Sequence, residues 1–441
     1  MTELERNYLE ALREENLRFA ETFNAPSMRG ALWALSDLYC DNAHFICELL
    51  QNADDQKATE VNFTLRPESL TFTHNAPHKF TISNPATHAE DRVNGTLGDV
   101  NSLLSLGSSS KSGRSEEIPI GKFGLGFKSV FQYTDRPEVH DDNFHFAIEN
   151  FIVPVFPIDD REERREGETL FHFPFREPVS GHSGEDGREE RKQSVPQVLH
   201  ELSSLDYHTL FLNSIVSIKW EYENEQGVVE RKGEFSLSVE TDGAVEMPMP
   251  EDATLLKYVS RTWKHTESDE LPYTESCTEK WLWKFTAPVD GMPGLNVGIV
   301  YFIDKKNVSI DTSCNYPLYC FLPTKYGTDY PFIMHAPFRL TINRESIRKN
   351  EHNDRMVEQL ARLAADSFSA ITHTCRPWLN DSNFGSFFPP VRNELKSVIS
   401  LEAVDRELCK AVGEGKTLWS VQLGRYLSVA VSYTHLTLPT I

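Results

Sequence analysis

Basic residues are scarce relative to acidic ones in this chain: 44 Lys and Arg stand against 66 Asp and Glu, for a formal net charge of −22. A surface of that sign repels polyanions, which disfavours duplex binding and anionic membranes while leaving local basic clusters open. No run of about 18 apolar residues occurs, so no membrane-spanning helix is expected. Cysteines are few. There are seven in 441 residues, an odd number with no CxxC pair, so neither a disulfide framework nor a zinc ribbon is indicated. Reduced thiols in an intracellular, cytoplasmic setting are the simplest expectation. The start, MTELERNYLEALREEN, lacks an apolar signal-peptide core. There is no internal repeat, no Walker lysine–serine pair, and no GxGxxG placed after a strand, so neither a P-loop nor a Rossmann site is indicated.

What is present suffices for sizeable cores: 39% of residues are hydrophobic and 11% aromatic. Patterning predicts helices over 3–23 and 31–56, then two short strands over 60–65 and 70–74 joined by Arg66-Pro-Glu-Ser. Further strands are expected over 144–155 and 169–175. Residues 180–192, SGHSGEDGREERK, are polar with no apolar period and mark a linker. A helix over 195–205, strands near 215–222, 233–239, 281–285, 297–303, 318–322 and 332–335, and a helix over 356–370 predict a second α/β domain. The implied division is a helical segment 1–30, a first domain 31–176, a linker 177–194, a second domain 195–375 and a helical fragment 376–430. The last eleven residues, VSYTHLTLPTI, resemble translated read-through of a sequencing adapter, so 431–441 are expected to be a non-native tail.

Two stretches carry chemistry. In FICELLQNADD, Glu48, Asn52 and Asp55 fall within about 60° of one another on a helix, roughly opposite the stripe of Ile46, Leu49, Leu50 and Ala53. A solvated face fits that pattern as well as a catalytic one, and Asp54 reads as a solvated acid. In IGKFGLGFKSVF, Gly121, Gly124 and Gly126 lead into a helix. Glycines let backbone approach an anion, and the amides at a helix start bind phosphate oxygens. Tight helix packing would also explain them.

Taken together, ELLQNADD and GKFGLGF resemble the N-box and second glycine box of the GHKL ATPases, the group of gyrase, histidine kinases and heat-shock protein 90. FICELLQNADD, LTFTHNAP and IGKFGLGFKSVFQYTDRPEV are most similar to the sacsin and NO VEIN-type branch. The resemblance implies an α+β chain: a Bergerat-type two-layer α/β sandwich, then an α/β domain like the middle domain of heat-shock protein 90. It implies ATP and Mg2+ as cofactors, with Glu48 as base and Asn52 as metal ligand. The chemistry agrees, because a carboxylate can orient or deprotonate water and an amide oxygen suits a hard cation. Asp55 matches an accessory position near the adenine side. The glycine box, Gly121, Lys122, Phe123, Gly124, Leu125, Gly126 and Phe127, would hold phosphates.

The family's first glycine box carries an Asp that accepts from the adenine amino group. Here the stretch is Thr73-His74-Asn75-Ala76-Pro77, so His74 or Asn75 would meet the base without a carboxylate. DVNSLLSLGSSSK resembles the helix and lid between the boxes, with Asn101 toward phosphate or ribose and Lys111 meeting a phosphate when the lid closes. Thr169 matches a strand threonine that contacts adenine through water. HAPFRLTINRESIRKNEHND resembles the catalytic loop of the heat-shock protein 90 middle domain, with Arg344 reaching the γ-phosphate. Arginine suits that role through its planar two-donor fork.

The expected function is an ATP-driven conformational machine of chaperone-like type, acting on protein clients or through self-association. A nucleotide-dependent interaction module with little turnover is the alternative. A topoisomerase or mismatch-repair relative is disfavoured by the acidic balance, and a histidine kinase by the lack of a phospho-acceptor helix before the N-box.

Overall fold

A computed structural model describes residues 1–23, 45–105, 126–176, 195–240, 249–266, 272–341, 347–375, 378–379, 384–387, 399–414, 418–420 and 425–427. The chain is mixed α/β and divides into two compact units: Met1–Ser236 with Ser260–Cys277, and Leu237–Val259 with Thr278–Ile441. Among the described residues no helix is long and apolar enough to cross a membrane.

The first unit opens with helix α1 (Glu3–Phe23), whose span matches expectation. It is not a separate segment. Leu9 and Leu12 are buried, and the Asn16 amide donates to the carbonyls of Leu104 and Ile152. The described part of the second helix is α2 (Phe45–Asp55). Its Ile46, Leu49, Leu50 and Ala53 are buried, as their spacing predicts.

Strands β1 (Glu60–Arg66) and β2 (Ser69–His74) form the expected hairpin, with Phe63 opposite Phe72. Two short helices follow, α3 (His88–Asn94) and α4 (Asp99–Leu103), and then a 3-10 helix at Phe127–Gln132. The single strand expected over 144–155 is two, β4 (His145–Glu149) and β5 (Val153–Val155), preceded by β3 (Glu138–His140). Asn150 and Phe151 take φ of 48° and 69°, and the Ile152 amide donates to the Glu149 carbonyl. Two consecutive left-handed residues make the tight turn that suits an antiparallel hairpin. β6 (Thr169–Pro174) lies between β2 and β3.

Beyond β6 the unit continues, against the expected boundary at 177–194. Helix α5 (Val195–Ser203) lies against β1. β7 (Ser217–Glu223) pairs in parallel with β1, and β8 (Val229–Val239) pairs with β7. The path β8-β7-β1-β2-β6-β3-β4-β5 is thus antiparallel except at β7/β1. One face carries Phe63, Phe72, Phe171 and Phe173, and α2 packs there through Phe45, whose ring lies 6.2 Å from that of Phe173. The other face presents Thr64, Thr71, His172 and His140.

Asp54 is a correction to the sequence reading. It is buried, and its carboxylate accepts from the backbone amides of Asn213, Ser214 and Ile215 and from the Asn213 side chain. It fastens the end of α2 to the loop before β7.

In the second unit, β10 (Tyr273–Pro288), β11 (Asn296–Asp304) and β15 (Ile333–His335) pair antiparallel. β13 (Pro317–Cys320) joins β15 in parallel and β14 (Leu322–Gly327) antiparallel. β9 (Thr254–His265) was not expected. Helix α6 (Glu351–Thr374), capped by Asn350 accepting from the Asn353 amide, lies against β11 and α7 (Glu402–Glu414). Trp283, Tyr301, Phe332 and Phe368 fill the core.

Burial holds three histidines of the first unit neutral. His74, His172 and His208 are depressed to about 4, chiefly by desolvation. Each ring binds its proton more weakly folded than unfolded, so its contribution is complete above about pH 6.5 and is lost as pH falls toward 4. The unfolding free energy from urea denaturation should therefore fall between pH 6.5 and 4, by of order 1 kcal/mol per pH unit for each of these rings, and the urea midpoint should fall with it. A flat midpoint across that window would contradict the assignment.

Candidate functional site

Two pairs of the candidate residues meet: Glu48 of α2 with Gly126, just before the 3-10 helix, and His74 of β2 with Thr169 of β6. Glu48, on the buried side of α2, is 3% exposed. A solvated face does not describe it. Asn52, one turn on, is exposed, and Asp55 is partly so. The first of the three is thus in the core and the other two reach solvent.

Gly126 lies directly against Glu48. A Cβ at position 126 would overlap Glu48 Oε2 and come within 2.7 Å of its Cδ. Gly126 has φ −57° and ψ −48°, open to any residue. Glycine is needed here for the absent side chain, not for backbone freedom. Phe127 follows and is buried against Phe171 and Phe173, which docks the exit of the glycine box onto the sheet.

His74 and Thr169 are direct cross-strand partners at the ends of β2 and β6. Strand alternation puts both on the face that α2 covers, beside Phe72 and Phe171. Both are buried. His74 Nδ1 accepts from the Ala76 amide at 3.3 Å, so the ring hydrogen resides on Nε2. Burial and then Lys79 lower the ring to about 4, and it is a neutral donor at physiological pH.

Other residues singled out by sequence are engaged elsewhere. Asn75 Oδ1 accepts from the amides of Thr59 and Glu60, and its Nδ2 donates to Thr59 Oγ1. It organises the entry to β1. Asn101 is buried on α4, accepting from the Ser83 amide at 2.7 Å and donating to the Ser83 carbonyl at 3.3 Å. Both ends of its amide serve the backbone. Lys111, Gly121, Lys122, Phe123, Gly124, Leu125 and Arg344 lie outside the described residues.

Lys128 was not singled out by sequence. It is buried, and Nζ donates to the carbonyls of Leu103 and Phe151. Desolvation lowers it to about 7. A lysine within an apolar FKSVF run was the available signal. A cavity of about 330 Å³ is lined by Asn62, Thr64, Arg66, Thr71 and Thr73, with His74 and Asn75 at the strand end also bordering it. The first five are the alternate positions of the strands, on the face away from α2.

Residues 32–148 match the family model described as Sacsin domain. The chain is 26% identical over 345 residues to Protein NO VEIN of Arabidopsis thaliana, covering 72% of this chain and 11% of that protein. It is 32% identical over 111 residues to human Sacsin, covering 25% of this chain and 2% of that protein. The chain thus spans a small fraction of either relative, and it is sacsin/NO VEIN-like over the parts matched. Among solved structures, the N terminal domain of a DNA repair protein aligns at a TM-score of 0.30 and 10% identity, over 54% of this chain and 73% of that one.

Gly126→Ala should push the Glu48 carboxylate aside and destabilise by about 1–3 kcal/mol, the usual range for overpacking. Adding Glu48→Ala removes the obstacle, so the double variant should recover at least about 1 kcal/mol relative to additivity. Urea denaturation of both single variants and the double variant measures this; strict additivity would show that the two residues do not touch.

Proposed function

We propose that the first unit binds a purine nucleoside triphosphate with Mg2+ and hydrolyses it, as a GHKL-type, Bergerat-fold, sacsin-like ATPase. The observation that carries this reading is the pairing of a buried carboxylate, Glu48, with a glycine whose missing side chain it needs, Gly126. Sequence alone supplied the N-box and the glycine box as two separate motifs. Their contact supports a single site.

The residues present fit such a ligand. Asn52 is exposed one turn beyond Glu48 and would hold Mg2+ through its amide oxygen. Bound there, the cation would neutralise charge on the phosphates. Glu48 would orient a water and accept its proton. The amides around Gly121, Gly124 and Gly126 would meet phosphate oxygens, and Lys111 would meet one on closure of the lid. His74 and Thr169, side by side, would contact the base. Arg344 would stabilise charge on the γ-phosphate, as such fingers do elsewhere. Protein clients or self-association are the partners that fit a conformational ATPase of chaperone-like type.

A second reading rests on His74. The ring presents a donor where the family has an acceptor carboxylate, so base selection differs and a nucleotide-dependent interaction module with little turnover is a coherent alternative.

Calorimetric titration with ATP, ADP and GTP, with and without Mg2+, together with phosphate release, tests both. The expected outcome is Mg2+-dependent ATP binding. Glu48→Ala should reduce release by at least about 100-fold, within the range for a general base, with affinity nearly unchanged. Arg344→Ala should likewise lower turnover while preserving affinity. Absence of binding would sink the nucleotide reading. Binding without release from either wild type or variant would favour the interaction module.

A further inference from the structure

On the sheet face away from α2, the register of a hairpin brings two histidines together. His140 ends β3 and His145 begins β4, and the two are direct cross-strand partners. Their Nδ1 atoms face each other at 3.3 Å. Asp160, from the segment after β5, completes a triangle: its Oδ1 lies 3.6 Å from His140 Nδ1 and 3.4 Å from His145 Nδ1. Among the described residues this is the one group of three or more His, Cys, Asp or Glu side chains with ligand atoms so close together.

Those lengths have a chemical meaning. Zinc bonds to imidazole nitrogen and carboxylate oxygen at about 2.0–2.1 Å, so neighbouring ligands of a tetrahedral ion lie about 3.3–3.4 Å apart. The triangle has the dimensions of one face of that tetrahedron. A single proton satisfies the site less well. It can bridge the two Nδ1 atoms at 3.3 Å, but it leaves Asp160 Oδ1, at 3.4 and 3.6 Å, without a proton from either ring.

The surroundings favour coordination. His140 is fully buried, and its Nε2 has no hydrogen-bond partner. The nearest carboxylate oxygen, Glu138 Oε2, is 3.7 Å away. An ion on Nδ1 forces the ring hydrogen onto Nε2, facing Glu138. At 3.7 Å that carboxylate is too far for a direct hydrogen bond, and it would have to close by about half an ångström to form the carboxylate–histidine–metal relay of many metal sites.

Asp160 is also held in place before any ion arrives. The Arg161 amide donates to Oδ1 at 2.8 Å. Arg164 donates to Oδ1 through Nε at 2.9 Å and to Oδ2 through Nη2 at 2.7 Å. Arg164 Nη1 in turn donates to Asp142 at the hairpin tip, and so does the Gly167 amide. An ion would take the Oδ1 lone pair from Arg164 Nε, and the guanidinium would keep Oδ2. The nearby positive charges of Arg164 and Arg161 weaken the site; Glu138 and Asp142 offset them in part, each being itself paired, Glu138 with Arg161 and Asp142 with Arg164 and Lys79.

We propose that His140, His145 and Asp160 bind one divalent ion of the zinc class through Nδ1, Nδ1 and Oδ1, with water as fourth ligand. Imidazole and carboxylate in a small tetrahedral set select Zn2+ or Co2+ over Mg2+ or Ca2+, which take more oxygens. The ion ties the segment around Asp160 to the β3–β4 hairpin. The site stands apart from Glu48 and does not depend on nucleotide binding.

The test uses the whole chain, stripped with chelator and titrated with Zn2+ by calorimetry, and with Co2+ by visible absorption. The expected result is one equivalent per chain, with the intense visible bands of tetrahedral Co2+ and a raised melting temperature. His145→Ala should weaken binding by at least about 100-fold, more than loss of an outer-sphere partner costs, and abolish the bands while circular dichroism stays native. Should that variant not fold, Asp160→Asn on the more exposed segment carries the same test. No saturable uptake, or uptake unchanged in the folded variant because exposed Cys277, Cys314 or Cys409 binds the ion instead, would overturn the proposal.

Discussion

A carboxylate occupying the space of a missing side chain is the constraint around which the first unit is arranged. Glu48 cannot be buried where it is unless residue 126 lacks a Cβ. Burying a carboxylate costs free energy that the rest of the helix must offset. α2 offsets it through the apolar residues Ile46, Leu49, Leu50 and Ala53, and through Asp54 at its far end. Two adjacent acids, Asp54 and Asp55, close a helix whose C-terminal carbonyls already carry partial negative charge, an unfavourable arrangement by itself. Three backbone amides from 213–215 donating to Asp54 reverse that balance. The helix is thus pinned at one end by the loop before β7 and confronted along its length by Gly126. A shift of α2 by one residue would break both relations.

The two faces of the same sheet solve different problems. On the α2 side, phenylalanines 63, 72, 171 and 173 make a dry layer in which His74 and Thr169 are the polar exceptions. On the other side, a charged lattice runs from Lys79 and Asp142 through Arg164 and Asp160 to Arg161 and Glu138. Individually such pairs contribute little at a surface. Here Arg164 is only 9% exposed and bridges two carboxylates while also donating to the Glu168 carbonyl. It therefore acts as a fixed strut for the segment between β5 and β6.

Much of the local structure was legible because it is periodic. α1, the β1–β2 hairpin and β6 carry clear 3.6 or 2.0 patterns, and the observed spans agree. The turn at Asn150-Phe151 was not legible, since a phenylalanine at φ 69° violates the usual glycine preference and only packing, here against Phe131, compensates. β9 escaped notice because few of its positions are buried, so its residues do not alternate. The extent of the first unit was illegible for a deeper reason. The polar stretch 180–192 has the composition of a boundary, yet β7 returns to pair with β1 across more than a hundred residues of sequence, and no local window contains that contact. The candidate site shows the same divide. Glu48 and Gly126 were each visible as motif letters, whereas their contact, the role of Asp54 and the meeting of His140 with His145 exist only after the chain is folded.

Lys128 shows how the glycine box is joined to what surrounds it. Its ammonium lies in an apolar setting, which lowers its proton affinity to about 7. What keeps a cation there is the pair of carbonyls it reaches. Leu103 is the last residue of α4, where the helix dipole leaves negative partial charge. Phe151 belongs to the β4–β5 turn, whose backbone bends outward in the left-handed region. One side chain thus couples the residue two places after Gly126 to the helix bearing Asn101 and to a strained turn. Asn101, with both amide atoms on Ser83, extends the connection to the segment after β2. Gly98 closes it, because a Cβ there would lie 2.6 Å from the Ser83 amide nitrogen. The exit of the glycine box therefore moves only if α4, Ser83 and the β4–β5 turn move with it.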